Sequence, residues 1–493
     1  MFRLLSHVAV LVTLMLFSPL SLRAADPAKD SAATQVSFYR DVRPLFQQHC
    51  QGCHQPAKAN SAYVMTEHGA LMKPGETGKP SVVPGKPNAS YLIEEIKRDK
   101  DGHSEMPKGR DALKQAEIDV IAKWITEGAK DDTPPNAKET QITADRPPVY
   151  LASPLITSVV FSPDGQLIAV AGYHEILLHK ADGSAIVARL VGLSERVQSL
   201  AFSPDGKFLA AAAGNPGRFG EVQIWDIDKL KLKLSTPVTF DTVYGVSWSP
   251  DGKVVGFGCA DNTVRAIDPN TGKQVLFMGT HSDWVLGTSF SQDGQHLASV
   301  SRDMSMKLTE VSTQRFVDNV TSITPGALKG GLMAIDIRPS KERKMAKVSS
   351  DTPNAAARVY DELLCAGSDG KPRLYKMHRE VKREIGDDSN RLKEFAPMNG
   401  RVSCIQFDRE GKRFAAASSL DGKGDVRVYD IASGKAISCE EITGPAYTVA
   451  WHPDGKRIAS AGFDGKVWLH DAETGKRVKE FVAVPLTLKT ASK

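Results

Sequence analysis

The chain has 493 residues, a formal net charge of +5 with histidine neutral, 41% hydrophobic residues and 25% charged residues. This length exceeds what one hydrophobic core supports, so we expect at least two domains. The small net charge, with no block of Lys and Arg interleaved with aromatic residues, argues against nucleic-acid binding. Six cysteines are too few for a disulfide scaffold.

The first residues have the pattern of an export signal. Arg3 precedes the apolar run VAVLVTLMLF, and small residues follow around Ala24 and Ala25. The run is shorter than the roughly 20 residues that a membrane span needs, which favours a cleaved signal peptide over an uncleaved anchor. We therefore predict a signal peptide over 1–25 and an exported mature chain, periplasmic or extracytoplasmic, without a transmembrane segment.

Residues 35–133 have helical periodicity. FYRDVRPLFQQ places Phe38, Val42 and Phe46 on one face, YLIEEIKR predicts a short helix, and the segment after Asp111 carries an apolar stripe that includes Trp124. The proline-rich segment 134–148 has no periodicity and reads as a linker. We predict a small all-α domain over 35–133.

Cys50, Cys53 and His54 form the motif CQGCH at the end of the first predicted helix. Cys-x-x-Cys-His in an exported protein is typical of covalent haem c attachment, in which both thiols bond the vinyl groups and the histidine binds the iron. Zinc would need a second ligand pair, and a thioredoxin-like site would need a preceding strand. A simple disulfide and a chance match stay open. We predict one covalently attached haem c.

The sixth iron ligand is predicted to be Met106 in DGHSEMPKGR, because a methionine ligand suits an electron-transfer haem and raises its potential. His103, Met65 and Met72 are the alternatives. Six lysines could surround the haem edge and attract an acidic redox partner, or could be ordinary solvated side chains. They are lysines 73, 79, 86, 97, 100 and 108.

These segments also resemble a known family. CQGCH, VVPGKPNASYLIEEI, EMP and EIDVIAKWITEGA are similar to class I cytochromes c, and more closely to the cytochrome c-like domains fused to other modules in planctomycete bacteria. The resemblance implies a haem bonded to Cys50 and Cys53, with His54 and Met106 as axial ligands.

Beyond residue 149 one phrase returns, as in VVFSPDGQLIAVAG, LAFSPDGKFLAAAA and VAWHPDGKRIASAG. Copies recur about every 40–45 residues, the period of β-propeller blades. The long gap between Phe290 and Phe407 hides a further copy at Ile337, followed by a charged insertion over 341–360. Seven copies are counted in this way.

The repeats resemble WD40 repeats, with His281 and Asp303 in the most complete copy and the Trp225–Asp226 pair in another. The resemblance implies an all-β, seven-bladed WD40-like propeller over 149–486. We expect the SPDG segments to be hairpin turns and His281 to be a buried hydrogen-bonding residue. We also expect the starting strand, PPVYLAS, to complete the last blade, with KEFVAVPLTL as the alternative.

The two regions together predict an exported haem protein that transfers one electron, exchanges it with a redox partner protein and binds a protein through propeller loops. We therefore favour an electron-transfer protein over an enzyme. The alternatives are an oxidoreductase with a second active site or cofactor in the propeller, and a structural or redox-sensing scaffold.

Overall fold

The computed structural model describes residues 35–137, 142–322, 328–340, 344–345, 359–384 and 386–487. The predicted signal peptide and most of the 341–360 insertion lie outside these ranges. Within them, none of the helices combines the length and the apolar character that crossing a membrane requires.

The N-terminal region is small and helical. A π-helical turn, Phe38–Val42, continues into α1, Arg43–His49, and three further helices follow: α2, His68–Leu71, α3, Tyr91–Ile96, and α4, Gln115–Thr126. Single 3-10 turns lie at Asn60–Ala62, Pro87–Ala89 and Pro135–Ala137. The region is not purely α-helical, because the chain reverses after the Cys motif through a ladder of β1, His54–Gln55, and β2, Lys58–Ala59.

The core of this region forms around Trp124. Its ring lies 5.3 Å from that of Phe38, and its indole N–H donates to the Lys130 carbonyl at 3.0 Å. Both side chains are buried, as the helical stripes predict. Gly128, with φ of +99°, follows the end of α4 in the left-handed conformation expected after a helix C-terminus.

From Val159 onward the described chain is built of antiparallel strands. They are β3 Val159–Phe161, β4 Leu167–Ala171, β5 Tyr173–Lys180, β6 Ile186–Phe202, β7 Phe208–Asn215, β8 Phe219–Asp226, β9 Lys231–Thr239, β10 Val243–Trp248, β11 Val255–Cys259, β12 Val264–Ile267, β13 Gln274–Met278, β14 Val285–Phe290, β15 His296–Ser301, β16 Met306–Glu310, β17 Arg315–Asn319, β18 Leu332–Ile337, β19 Lys344–Met345, β20 Val359–Tyr360, β21 Glu362–Gly367, β22 Arg373–Lys376, β23 Arg391–Glu394, β24 Arg401–Phe407, β25 Arg413–Leu420, β26 Lys423–Asp430, β27 Ala436–Ser438, β28 Ala446–Trp451, β29 Arg457–Gly462, β30 Lys466–Asp471 and β31 Arg477–Val482.

The strands group by repeat. β10–β13, β14–β17, β24–β27 and β28–β31 form four-stranded sheets, as do β18, β21, β22 and β23 in that order, while β19 and β20 pair within the insertion. β3–β9 form one seven-stranded sheet. There the long strand β6 pairs with β5 through its first part and with β7 through its second, so that two repeats share it. This arrangement is consistent with a WD40 propeller.

Polar side chains link the first strand of one repeat to the first strand of the next. In each case a side-chain oxygen accepts a backbone N–H: Ser158 from Leu200, Ser199 from Val246, Asp336 from Phe407, Gln406 from Trp451, and Thr448 from Val159. The Thr448 bond joins the last repeat to the first. These strands line a central cavity of about 700 Å³.

The expectation for the last repeat is wrong. Its fourth strand is β31, from the C-terminal segment, whereas the starting segment contributes one parallel bridge between Tyr150 and Leu486. β31 follows β30 through a short turn and pairs with it as an antiparallel neighbour. Tyr150 is instead fixed on β5 by a 2.7 Å hydrogen bond from its hydroxyl to Glu175.

The turn and histidine predictions are confirmed. In the first SPDG turn, the Ser162 hydroxyl accepts the Leu167 N–H at 2.9 Å, and Gly165 has φ of +71°. His281 is buried, with ring nitrogens 2.8 Å from Asp303 Oδ2 and from Ser299 Oγ. Although burial opposes ionisation of Asp303, the hydrogen bond from His281 holds the pKa of that carboxyl well below its usual range.

Candidate cofactor site

The Cys motif forms a compact turn at the end of α1. The Cys50 N–H donates to the Phe46 carbonyl at 2.9 Å, and the N–H groups of Cys53 and His54 both donate to the Cys50 carbonyl at 3.1 Å. These bonds close the turn, so that three functional side chains from adjacent positions face the same cavity.

This cavity has a volume of about 480 Å³ and is lined by Cys50, Cys53, His54 and Met106. Such a volume lies within the range of roughly 300–1,000 Å³ that is typical of ligand and cofactor pockets. Its other walls are aliphatic or aromatic in part: Met65, Leu92, Ile96, Tyr63 and Tyr91. The structure thus brings together all four residues that the sequence assigned to the site.

His54 is set up as a neutral ligand. Its Nδ1 lies 3.3 Å from the Tyr63 carbonyl oxygen, an acceptor that requires the proton to sit on Nδ1. Burial lowers the pKa of the imidazole, which favours the neutral ring. Nε2 then carries the free lone pair that could bind a metal. In metal-bound histidines the nitrogen that does not bind the metal usually donates its N–H to a carbonyl or carboxylate, as Nδ1 does here.

Both cysteines of the motif are free thiols. Burial raises the pKa of Cys50 to about 12, and the neighbouring Cys53 raises it further while Arg110 opposes both effects. The Cys50 thiol is therefore protonated at neutral pH. Both cysteines line the cavity, and addition of a thiol across a vinyl double bond gives a thioether.

Met106 reaches the cavity from the loop that follows α3. Its N–H donates to the Glu95 carbonyl in α3 at 2.9 Å, and the Ser104 hydroxyl donates to the Met106 carbonyl at 2.6 Å. Met65 also lines the cavity, but its N–H donates to the His54 carbonyl at 2.8 Å, which ties Met65 to the wall that carries the histidine. Met106 belongs to a different wall.

The other two alternatives are outside the lining. The His103 side chain is 81% exposed and lies 3.9 Å from Asp99. Met72 packs against the hydrophobic core of the domain. Neither contributes to the cavity walls.

Of the two readings left open for the lysines, the cavity lining does not support a surrounding ring. Of the six, only Lys108 lines the cavity, where Glu76 and Glu95 also contribute to the lining. The cavity lining thus carries charged side chains of both signs.

Tyr63 and Arg110 are site residues that the sequence did not single out. Tyr63 holds His54 through its carbonyl, and its hydroxyl donates to the Leu71 carbonyl at 2.8 Å; burial raises its pKa to about 12. Arg110 lines the cavity beside Lys108. Neither stands at a spacing that a motif would reveal, because both reach the site through tertiary contacts.

The residues present fit a covalently attached haem. Two thiols, a neutral imidazole and a thioether converge on one partly apolar cavity, which is the donor set of a haem c site with histidine and methionine ligands. Over the residues that the structure describes, no group of three or more His, Cys, Asp or Glu side chains is arranged to hold a metal ion, so the second ligand pair of a zinc site is not formed there.

Family models match both regions. The model described as Planctomycete cytochrome C matches residues 50–109. WD domain, G-beta repeat models match 151–187, 184–226, 231–268 and 272–309, and the WD40 domain of anaphase-promoting complex subunit 4 matches 438–487. These matches fit a cytochrome c-like domain fused to WD40 repeats.

Curated relatives match through the repeats. Autophagy-related protein 16 of Arabidopsis thaliana is 24% identical over 271 residues, which cover 51% of this chain and 52% of that protein. Periodic tryptophan protein 2 of the same plant is 22% identical over 52% of this chain and 25% of its own length. The Poly(A)+ RNA export protein of Schizosaccharomyces pombe is 31% identical over 20% of this chain and 27% of its length. The chain thus spans about half or less of the length of these relatives.

Proposed function

We propose that this chain is an exported c-type haem protein that transfers single electrons and binds a partner protein through a seven-bladed propeller. The observation that carries the proposal is the convergence of Cys50, Cys53, His54 and Met106 on one cavity. Local sequence explains why the first three lie together. Only the fold could bring Met106 to them, so its position is independent support.

Each residue has a distinct task in this proposal. Cys50 and Cys53 tether the group through thioether bonds, which keep it on a domain too small to enclose it fully. His54 is oriented by the Tyr63 carbonyl, and Met106 is held by its bond to α3. A bound haem c would supply reversible one-electron chemistry, and the thioether ligand would raise its potential.

The loops at one end of the sheets support partner binding. Connections that alternate along antiparallel strands share an end, and at this end Phe240 is 77% exposed and Phe463 is 61% exposed. Tyr244 and Trp284 stack with ring centroids 5.9 Å apart, and the Arg302 guanidinium lies 4.9 Å from the Trp284 ring centroid. Exposed aromatic and arginine side chains are enriched where proteins bind one another.

The central test uses chain exported from a host with cytochrome c maturation machinery. A haem stain after denaturing electrophoresis should remain with the protein, because thioether bonds survive denaturation, and mass spectrometry should give one haem per chain. A band from that host without the stain contradicts the proposal. A second chromophore would favour the oxidoreductase alternative.

The axial assignment is tested by Met106→Ala. We expect the variant to keep the covalent haem but to lose the sulfur-to-iron(III) absorption band, since the band requires a bound thioether. Met72→Ala is the matched control, because Met72 is a partly buried methionine of the same domain outside the cavity. Persistence of the band in Met106→Ala, or its loss in Met65→Ala, would show that another residue is the ligand.

Export is tested on the mature chain itself. N-terminal sequencing of protein from the extracytoplasmic fraction should show cleavage near Ala25. Full-length chain recovered in the cytoplasm would contradict this part of the proposal.

A further inference from the structure

The Cys motif is packed directly against the propeller. Strand β9 runs past the turn, and a Cβ placed on Gly52 would lie 2.3 Å from the Ser235 carbonyl oxygen. No side chain fits in that space without displacing backbone, so glycine is required at this contact. Gly52, one of the two residues between Cys50 and Cys53, is therefore part of the interface between the two domains.

Two further contacts hold the same strand. The Arg110 guanidinium, which lines the haem cavity, donates to the Thr236 hydroxyl at 3.1 Å. The Lys58 ammonium, just after the motif, donates to the Lys233 carbonyl. The cavity and β9 are thus joined on both sides of Gly52.

A buried carboxylate lies behind this contact. Glu221 on β8 is only 1% exposed, and it accepts hydrogen bonds from the Ser194 hydroxyl at 2.6 Å, from the Gln223 amide at 2.6 Å and from the Ser235 hydroxyl. The Trp225 indole fixes the amide orientation, because it can only donate and does so to Gln223 Oε1 at 3.0 Å. Three neutral donors stabilise the negative charge of Glu221 without cancelling it.

The space between the carboxylate and the motif is almost dry. Gly52, Glu221 and Ser235 line a void of about 10 Å³. That is at the lower limit for holding one water molecule. With so little water between them, the charge of Glu221 acts on the haem region through protein of low dielectric constant, where electrostatic effects are strong.

We propose that the propeller forms the outer part of the haem site in two ways. Strand β9 packs against the attachment turn, a contact called here the β9 contact, and the Glu221 carboxylate behind β9 lowers the reduction potential of the haem. This inference rests on the proposed function for the presence of the haem. A nearby negative charge favours the ferric state, which carries one more positive charge than the ferrous state. The propeller would then set the redox properties of the domain docked on it.

The first measurement is the midpoint potential of the full-length, haem-loaded chain. Glu221→Gln removes the charge and keeps the size and one acceptor oxygen, and we expect the ferric–ferrous equilibrium to shift toward ferrous by up to about tenfold, which is about 59 mV for one electron. Gly52→Ala leaves the Glu221 charge in place and weakens its effect on the haem. It should lift the turn off β9, admit water and move the potential in the same direction.

The second measurement needs no haem. Hydrogen exchange of the full-length chain should be faster across 50–58 and 231–239 in Gly52→Ala than in the parent. Gly69→Ala is the matched control, because a Cβ at Gly69 meets nothing within 4 Å, and it should leave both exchange and potential unchanged.

The outcomes separate the two proposals. A chain without covalent haem overturns the proposed function and the tuning of the potential. Hydrogen exchange still tests the β9 contact in that case. A haem-loaded chain whose potential is the same in the parent, Glu221→Gln and Gly52→Ala overturns the tuning and leaves the proposed function standing. Unchanged hydrogen exchange in Gly52→Ala overturns the β9 contact. If Glu221→Gln fails to fold, the potential of Gly52→Ala decides.

Discussion

Asp336 should make the stability of the propeller depend on pH. It lies on β18 in the wall of the central cavity, where its carboxylate accepts the N–H of Phe407 at 2.7 Å and that of Ile337 at 2.9 Å. Burial raises the pKa of this carboxyl from 3.8 to about 7, although the two N–H donors oppose the shift. The folded protein therefore keeps a proton there that the unfolded chain releases.

The direction and size of this change in the free energy of unfolding follow from proton linkage. Between about pH 4 and pH 7 the folded state binds more protons than the unfolded state, so the free energy of unfolding falls as pH rises through this window. Each pKa unit corresponds to about 1.36 kcal/mol, which sets a ceiling of about 4 kcal/mol. The cavity leaves Asp336 partly accessible to water, which screens the charge and reduces the effect below that ceiling.

Urea unfolding of the full-length chain, followed by tryptophan fluorescence at several pH values in this window, measures the effect. Asp336→Asn cannot ionise, so its stability should change less steeply with pH than that of the parent, whatever its absolute stability. The control is Asp251→Asn, which removes a turn carboxylate whose pKa is lowered by the Ser249 hydroxyl. It should leave the Asp336 contribution intact. Parallel pH profiles for the parent and Asp336→Asn would refute the reasoning.

Two further changes test the packing of each region. Trp124→Ala should destabilise the helical domain by about 3–5 kcal/mol, because it leaves a cavity in the core beside Phe38. Near-ultraviolet circular dichroism during thermal unfolding measures this loss of stability. A loss below about 1 kcal/mol would contradict the prediction. Asp303→Ala leaves the buried His281 ring and the Ser282 N–H without their acceptor. We expect a loss of about 1–3 kcal/mol in urea, and an unchanged midpoint would show that the His281 contact contributes nothing.

Local signals account for the parts of the fold that were predicted. The stripe containing Trp124 determines the buried face of α4, and the SPDG segments determine their turns through Ser, Asp and Gly acting within a few residues. The repeat period likewise indicates sheets built of neighbouring strands. The pairing at the end of the propeller was predicted wrongly because two segments far apart in sequence compete for it, and pattern alone does not rank them.

The sequence by itself determined that Cys50, Cys53 and His54 lie together, since they are neighbours and their spacing is itself the signal. Tertiary structure decided what surrounds them. It placed Met106 in the cavity and His103 in solvent, tied Met65 to the histidine wall, and set Gly52 against Ser235. Those contacts depend on how two folded surfaces fit each other, and a contact between residues nearly 200 positions apart leaves no periodicity in the chain to read.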